Sequence, residues 1–277
     1  MDWELTGNGI GVAILDTGIS PHMDFGNRIT GFYDFIYNRK QPYDDNGHGT
    51  HVAGILAGDG RASFGKYKGA APGESIVSLK VLDRTGNGRK ETLLQAFLWR
   101  EKYGHDYGIR IVNISVGTTC TAKSYDKKLL GGVEALWDAG FVVVAAAGNK
   151  GPLPGSITAP GCSRKIITVG SSDMITGREA VSSRGPTFEC VCKPDIVAPG
   201  FHITSCASNS FSGYGVKSGT SMSTPLISGA IALLLEKYPH MTNREIKMRL
   251  KESADDMGLP KNQQGWGKFN QKKFLTL

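Results

Sequence analysis

Three short segments of this chain of 277 residues carry side chains that could perform one reaction together. A serine hydroxyl is a weak nucleophile until a base removes its proton, and an imidazole serves as that base once a carboxylate fixes its tautomer. Here the carboxylate would be Asp16, the imidazole His48 and the hydroxyl Ser221. The segments are Asp16-Thr17-Gly18, His48-Gly49-Thr50-His51 and Gly219-Thr220-Ser221-Met222-Ser223-Thr224-Pro225. Their combination predicts nucleophilic catalysis.

Each segment alone has a simpler interpretation. Asp16 could be a turn residue after a strand, His48 a helix-start or metal-binding histidine, and Ser221 a helix N-cap. Aspartic proteases also carry Asp-Thr-Gly, but they need a second copy, which this chain lacks. Helical zinc proteases need two histidines four residues apart with a glutamate between them. Because His48 and His51 do not fit that pattern, the joint interpretation is favoured.

The hydrophobic pattern predicts the elements that would position these residues. Short apolar runs rich in Val and Ile alternate with helical stretches, which is typical of a parallel sheet covered by helices on both faces. The predicted strands are 12–15, 76–81, 111–115, 141–146 and 166–169, and the predicted helices are 48–57, 92–103, 129–139, 221–238 and 242–254. Asp16 then follows the carboxyl end of a strand, where α/β sheets place their active sites.

The order Asp, His, Ser and the sequences around these residues resemble the subtilisin-like serine proteases, the subtilase family. Further matching segments run through nearly the whole chain, among them 9–18, 45–54, 113–117, 182–186 and 193–200. The resemblance implies an α/β, three-layer subtilisin-like fold with a mostly parallel central sheet and helices on both faces. It also implies one peptidase catalytic domain over residues 1–277, a serine endopeptidase that works through a Ser-His-Asp triad and a covalent acyl-enzyme.

The same resemblance implies an oxyanion hole and substrate pockets. Asn149 would donate its side-chain amide to the oxyanion beside the backbone N–H of Ser221, and an Asn here favours neutral-to-alkaline activity. The implied substrate-binding residues are Ser115, Val116 and Gly117 as a strand that pairs with the substrate and walls the S1 pocket, Ala147, Gly148 and Thr158 as further walls of that pocket, and Lys90 and Leu93 beside the S4 site. A preference for apolar or aromatic P1 residues follows from this analogy.

Metal ions have no expected part in the chemistry, which requires no cofactor. A structural calcium ion is possible, but the strong calcium site of the family is expected to be altered. The segment 58–69, after the predicted helix that begins at His48, is basic and poor in oxygen ligands. Asp24 matches one family ligand whose partners are missing. These features resemble the intracellular or alkaline subtilisins of Gram-positive bacteria.

Composition and charge limit the partners and the compartment. The net charge is +7, but the basic residues are scattered, so no nucleic-acid partner is expected. No apolar run approaches the roughly 18 residues of a membrane span, so no membrane partner is expected. Five cysteines leave at least one thiol unpaired, which favours the cytoplasm; the alternative is secretion after removal of a signal and propeptide. The expected partners are polypeptide substrates and a propeptide or protein inhibitor.

Three other functions are compatible with the same residues. The first is a binding protein on the same fold without catalysis, although the complete set of Asp16, His48, Asn149 and Ser221 argues against it. The second is an esterase or transferase that uses the same triad. The third is a protease with one narrow target, which differs from the favoured hypothesis only in specificity.

Overall fold

A computed structural model describes residues 5–117 and 127–277 of the protein. The strands in these ranges are β1 (Gly11–Asp16), β2 (Ile29–Asp34), β3 (Ser75–Lys80), β4 (Ile109–Ile114), β5 (Val142–Ala146), β6 (Ile167–Ser171), β7 (Ile196–Ala198), β8 (Ile203–Cys206) and β9 (Tyr214–Lys217). The helices are α1 (His48–Ala57), α2 (Lys90–Tyr103), α3 (Lys127–Asp138), α4 (Thr220–Lys237), α5 (Asn243–Ser253), α6 (Lys261–Gln264) and α7 (Gln271–Thr276).

Seven strands form one sheet, in the order β2-β3-β1-β4-β5-β6-β7, and β8 pairs with β9 separately. The pairs β1–β3, β2–β3, β5–β6 and β6–β7 are parallel. Every residue of β1, β5, β6 and β7 is buried, as expected for strands covered on both faces. The predicted fold class, α/β with a mostly parallel central sheet, is confirmed.

Residue contacts divide the chain into two compact units. The first comprises the chain up to Asn113 with Thr204–Lys217 and Ser228–His240. The second comprises Ile114–Ile203, Ser218–Ile227 and Met241–Leu277. The prediction of one domain over residues 1–277 stays a prediction.

The five predicted strands correspond to β1, β3, β4, β5 and β6, and the five predicted helices to α1–α5. The pattern misses β2, most of whose residues are partly exposed, because a strand without a buried run has no strong hydrophobic signal. It also misses β7, β8 and β9, which are only three or four residues long. No helix among the described residues is long and apolar enough to cross a membrane.

Glu74 is a fully buried acid in the first unit, directly before β3. Neither carboxyl oxygen has a hydrogen-bond partner among the described residues. Burial raises the pKa of Glu74 well above its usual value, although Arg28 opposes the shift. Glu74 therefore binds its proton more tightly in the folded than in the unfolded protein. Such a group stabilises the fold below its unfolded pKa, and this stability is lost as the pH rises through the folded pKa.

We expect Glu74→Gln, which is neutral at every pH, to remove this loss. The free energy of unfolding of the variant relative to the parent should rise above pH 4.5, by up to about 1.4 kcal/mol per pH unit for one proton. Denaturant titrations at several pH values in a Ser221→Ala background, which prevents self-digestion, measure the slope. Exposed Glu101→Gln is the control; equal slopes for the two variants would contradict the assignment.

Candidate active site

Asp16 and His48 form a hydrogen-bonded pair within the first unit. Asp16 is the last residue of β1 and is 1% exposed, and His48 is the first residue of α1. The distance from His48 Nδ1 to Asp16 Oδ1 is 2.7 Å. Because a carboxylate oxygen can only accept, the proton lies on Nδ1. In the neutral imidazole, Nε2 therefore carries the lone pair of a base. About a quarter of the His48 side chain is exposed.

The charges around His48 set its basicity. Burial lowers the pKa of His48, but the charge of Asp16 and its hydrogen bond raise it, and the net pKa is above its usual value. Lys217 lowers this pKa and Asp44 raises it, both to a smaller extent. At neutral pH a raised pKa strengthens the base but increases the fraction of imidazole that is already protonated.

Asp44 was not predicted as a site residue, yet it ties together the segments that carry Asp16 and His48. Its Oδ1 accepts from Thr17 Oγ1 and from the N–H groups of Asn46 and Gly47. Its Oδ2 accepts from the N–H and the hydroxyl of Thr50 in α1. These donors lower the pKa of Asp44 against the effect of burial, which is the largest contribution. Asp44 is thus a positioning residue, and an Asp just before a helix start is the signal that could have identified it.

Lys80 also holds the segments that carry Asp16 and His48 together, within the first unit. It is fully buried at the end of β3, opposite Asp16 in the strand register. Its ammonium donates to the backbone carbonyl of Thr17 and to Asp45 Oδ1, the latter at 2.7 Å. The buried charge is therefore compensated, and the turn after Asp16 is held in place.

Ser221 and Asn149 lie in the second unit. Ser221 is the second residue of α4, so its N–H is among the first four N–H groups that a helix leaves without an intrahelical acceptor. Asn149 Oδ1 accepts from the N–H of Thr220 at 3.0 Å and from its hydroxyl at 3.2 Å. Since the N–H of Thr220 can only donate, this contact assigns the side-chain oxygen of Asn149 and leaves Nδ2 as the available donor.

The absence of a side chain at Gly219 leaves space for the side-chain amide of Asn149. A Cβ at Gly219 would lie 2.9 Å from Asn149 Nδ2, and Gly219 has a φ of +145°, which disfavours other residues. The segment before Ser221 therefore holds Asn149 by two hydrogen bonds and a close backbone approach.

The hydroxyl of Ser221 donates to the backbone carbonyl of Ser115 at 2.7 Å. In this geometry the proton that a base would remove is engaged by a carbonyl oxygen of the predicted substrate-pairing segment. Rotation about the Cα–Cβ bond of Ser221 to another staggered position would break this hydrogen bond and free the proton.

A pocket of about 210 Å³ lies beside Ser221 in the second unit. Four of the predicted substrate-binding residues line it: Ser115, Gly117, Gly148 and Thr158. Asn149, Lys150 and Thr220 also line it. The two glycines keep the pocket open, because a Cβ at either would lie within 2.6 Å of Thr158 Oγ1. The pocket could hold a substrate side chain next to the nucleophile.

The other predicted substrate-binding residues are not among those lining this pocket. Ala147 is fully buried, and its carbonyl accepts from the N–H and hydroxyl of Thr158. Ala147 therefore holds Thr158, a residue of the pocket wall, in place. Val116 is partly exposed. Lys90 and Leu93 belong to α2 in the first unit, where Lys90 is exposed and Leu93 is 3% exposed. Their role at an S4 site stays a prediction.

Asp24, the residue that matches one calcium ligand of the family, has protein donors at both carboxylate oxygens. Its Oδ1 accepts from the N–H of Ala62, and its Oδ2 accepts from the hydroxyl of Tyr214 at 2.7 Å. The thiol of Cys206 lies 3.7 Å from Oδ2. Protein donors therefore occupy the oxygens that a calcium ion would need, and one of these donors, Ala62, belongs to the segment 58–69.

His22, Asp24 and Cys206 form a group whose ligand atoms lie within 4.8 Å of one another. His22 Nδ1 accepts from the N–H of Asp24, and Nε2 lies 2.9 Å from the carbonyl of Gly213, to which it donates. Both ring nitrogens are thus engaged, and burial raises the pKa of the Cys206 thiol. The group is a hydrogen-bonded core cluster. The four described cysteines are free thiols, two buried and two exposed, and Cys120 lies outside the described residues.

Comparison with known proteins gives consistent results. The family model described as "Subtilase family" matches residues 7–267. The chain is 41% identical over 275 residues to "Serine protease AprX" of Bacillus subtilis (strain 168), covering 91% of this chain and 62% of AprX. It is 35% identical over 254 residues to "Subtilisin Savinase" of Lederbergia lenta, covering 92% of this chain and 86% of that protein. The chain therefore spans less than two thirds of the length of AprX.

Among solved structures, the crystal structure of a cold adapted subtilisin-like serine proteinase matches with a TM-score of 0.78 and 28% identity. The match covers 97% of this chain and 89% of that structure. The resemblance inferred from the sequence motifs is thereby confirmed, as is the predicted three-layer fold.

Proposed function

Because the chain belongs to the subtilase family, we propose that it is a serine endopeptidase that hydrolyses polypeptides through a covalent acyl-enzyme on Ser221. The hydrogen bond of 2.7 Å between His48 Nδ1 and Asp16 carries the proposal. It places the lone pair of a positioned base on Nε2, which is the state that a catalytic histidine needs. The family membership and the pocket beside Ser221 support the same function.

In the first half of the proposed reaction, the Ser221 hydroxyl leaves the carbonyl of Ser115 and transfers its proton to His48 Nε2. Ser221 Oγ attacks the carbonyl carbon of the substrate, and the oxygen of the tetrahedral intermediate becomes negative. Asn149 Nδ2 and the N–H of Ser221 would stabilise this oxyanion at the positive end of α4. Asp16 stabilises the imidazolium without taking its proton.

In the second half, His48 gives the proton to the leaving amine, and the bond between the peptide carbonyl carbon and nitrogen breaks. A water molecule then loses a proton to His48 and attacks the acyl-enzyme. As the second tetrahedral intermediate collapses, His48 returns this proton to Ser221 Oγ, which releases the carboxylic acid and restores the Ser221 hydroxyl. Each residue thus returns to its starting state, and no external redox partner or metal is needed.

The proposal is tested by comparing an activated ester with an amide of the same acyl group. We expect both to be hydrolysed, with a burst of leaving group from the ester equal to the concentration of active enzyme, because the acyl-enzyme accumulates when acylation is fast. Hydrolysis of the ester alone would favour an esterase or transferase. Hydrolysis of neither by the folded protein would favour a binding protein.

The oxyanion role of Asn149 gives a separate prediction. Asn149→Leu has a similar size but no donor, so we expect kcat to fall by about 10²–10³ with KM little changed, a magnitude measured on a subtilisin itself. Because Leu also loses the two hydrogen bonds from Thr220, Thr220→Val is the control: it keeps the N–H donor to Asn149 and removes only the hydroxyl. An equal loss in both variants would assign Asn149 a structural role only.

We also propose answers to two further questions, whether Asp24 binds calcium and in which compartment the protein works. The filled hydrogen-bonding positions of Asp24 support the absence of a tight calcium ion there. The free thiols support a reducing compartment such as the cytoplasm over secretion. A preference for apolar or aromatic P1 residues and binding of a propeptide or protein inhibitor stay predictions.

A further inference from the structure

A second pocket, of about 490 Å³, lies entirely within the first unit. Its walls include Asn46 and Gly47, the two residues directly before His48, and the hairpin formed by β8 and β9. We call it the leaving-group pocket, defined by residues 44–47 and the hairpin residues from Cys206 to Lys217 that line it. The pocket therefore borders the segment that presents the catalytic histidine.

The proposed chemistry assigns this pocket to one part of the substrate. In the proposed reaction the acyl part would bind beside Ser221, whose neighbouring pocket lies in the second unit. The amine that leaves must lie within hydrogen-bond reach of His48 Nε2, because His48 protonates it. The residues that follow the broken bond therefore extend from a point next to His48. The pocket that borders the His48 segment offers room for their side chains.

The charged residues that line the leaving-group pocket differ in whether protein groups already bind them. Asp44 is 7% exposed, and five donors from the protein occupy its two oxygens. Asp45 is paired with the buried ammonium of Lys80 at 2.7 Å. Lys217, at the end of β9, is partly exposed and has no ion pair within 4 Å among the described residues. Of the charged residues that line the pocket, Lys217 is the one left to meet a ligand.

The charge of Lys217 also affects the pKa of the catalytic base, His48. This positive charge lowers the pKa of His48, opposite to the effects of the charges of Asp16 and Asp44. Lys217 is therefore close enough to affect both a bound leaving group and the residue that protonates it.

We propose that Lys217 makes the enzyme select an acidic side chain at the first or second residue after the cleaved bond. The selection rests on the proposed function, because it requires His48 to protonate the leaving amine. A carboxylate in the pocket would pair with the Lys217 ammonium and would find the local acids already engaged. A basic side chain would meet the same ammonium and be repelled.

The test uses fluorogenic peptides that share one acyl part and carry Glu, Gln or Lys at the first or second position after the bond. We expect the parent enzyme to favour Glu over Lys by about fivefold in kcat/KM at one of these positions, the size of a partly exposed ion pair. Lys217→Met should abolish the preference and Lys217→Glu should reverse it. Lys40→Glu makes the same charge change at an exposed site of the same unit and should leave the preference intact.

The pH profile gives a readout that a purely structural role would not move. Removing the charge of Lys217 should raise the pKa of His48, so the acidic limb of kcat/KM should shift to higher pH in Lys217→Met and further in Lys217→Glu, but not in Lys40→Glu. Both effects should weaken as the ionic strength rises, because salt screens exposed charges.

The outcomes separate this proposal from the proposed function. Peptide cleavage with equal rates for Glu and Lys peptides, or a preference unchanged in Lys217→Glu, would overturn the role of Lys217 and leave the endopeptidase intact. If the folded protein cleaved none of the peptides, the proposed endopeptidase function would be wrong, and the proposed selection by Lys217 would be wrong as well.

Discussion

Replacement of Ser221 by alanine is expected to reduce kcat for peptide hydrolysis by about 10⁶-fold, a magnitude measured on a subtilisin itself. The variant keeps the donors Asn149 Nδ2 and the N–H of residue 221 but has no oxygen that can form the acyl-enzyme. The change removes one atom from a partly exposed side chain, so the fold should be retained. Initial rates on a fluorogenic peptide and thermal unfolding of the same preparation measure the two effects.

The matched control for this variant is Ser223→Ala, two residues further along α4. Ser223 is fully buried and donates to the carbonyl of Ala198 at 2.9 Å. Its replacement should lower the stability by about 1 kcal/mol while the activity of the folded protein stays close to that of the parent. If Ser221→Ala kept more than a few per cent of the parent activity, Ser221 would not be the nucleophile.

Replacement of Asp16 by asparagine is expected to lower kcat by about 10⁴-fold. An asparagine amide can donate to His48 Nδ1, which then becomes an acceptor and moves its proton to Nε2. That tautomer cannot remove a proton from Ser221. Because the charge and hydrogen bond of Asp16 raise the pKa of His48, the acidic limb of the residual activity should also move to lower pH. Rates measured from pH 5 to pH 10 test both effects.

Asp83→Asn is the control for this prediction. Asp83 accepts from the N–H groups of Thr85 and Asn87 in an exposed turn, so its replacement makes the same chemical change away from the imidazole. It should leave both the rate and the acidic limb unchanged. A rate for Asp16→Asn within tenfold of the parent would mean that His48 does not depend on this carboxylate.

Much of the fold and the choice of candidate residues could be predicted, because local patterns carry that information. A short run of buried Val, Ala, Ile and Leu ends at Asp16, so both the strand and the position of the acid at its carboxyl end follow from the sequence. The apolar stretch after His48 likewise predicts α1, and the capping box at Thr242 predicts the start of α5, where both of its hydrogen bonds are present.

The rest depends on contacts between residues that are far apart in the chain. Asp44 could not be assigned to the site, since two of its donors, Thr17 and Thr50, come together only in the folded unit. The pairing of Lys80 with Asp45 spans 35 residues. The same is true of Thr220, which orients Asn149 from 71 residues away. Sequence motifs identified the groups that could react, but not the hydrogen bonds that orient them.

Lys217 illustrates the same limit at a substrate pocket. In the sequence it is one of 32 scattered basic residues and lies outside the segment that begins at Gly219. Its proposed role follows only from its place at the end of β9 and its effect on the pKa of His48. The proposed specificity depends on where a charged side chain lies in the folded protein, and a local sequence pattern does not contain that information.

Labelling with a fluorophosphonate, followed by peptide mass spectrometry and a parallel digestion of casein, tests the central claim most directly. The probe reacts with a serine only when a base and an oxyanion site activate it, so it reports the assembled site and not merely the presence of Ser221. We predict one label, on Ser221, its loss in the Asp16→Asn variant, and cleavage of casein by the unlabelled protein. Folded protein that takes up no label on Ser221 would contradict the account.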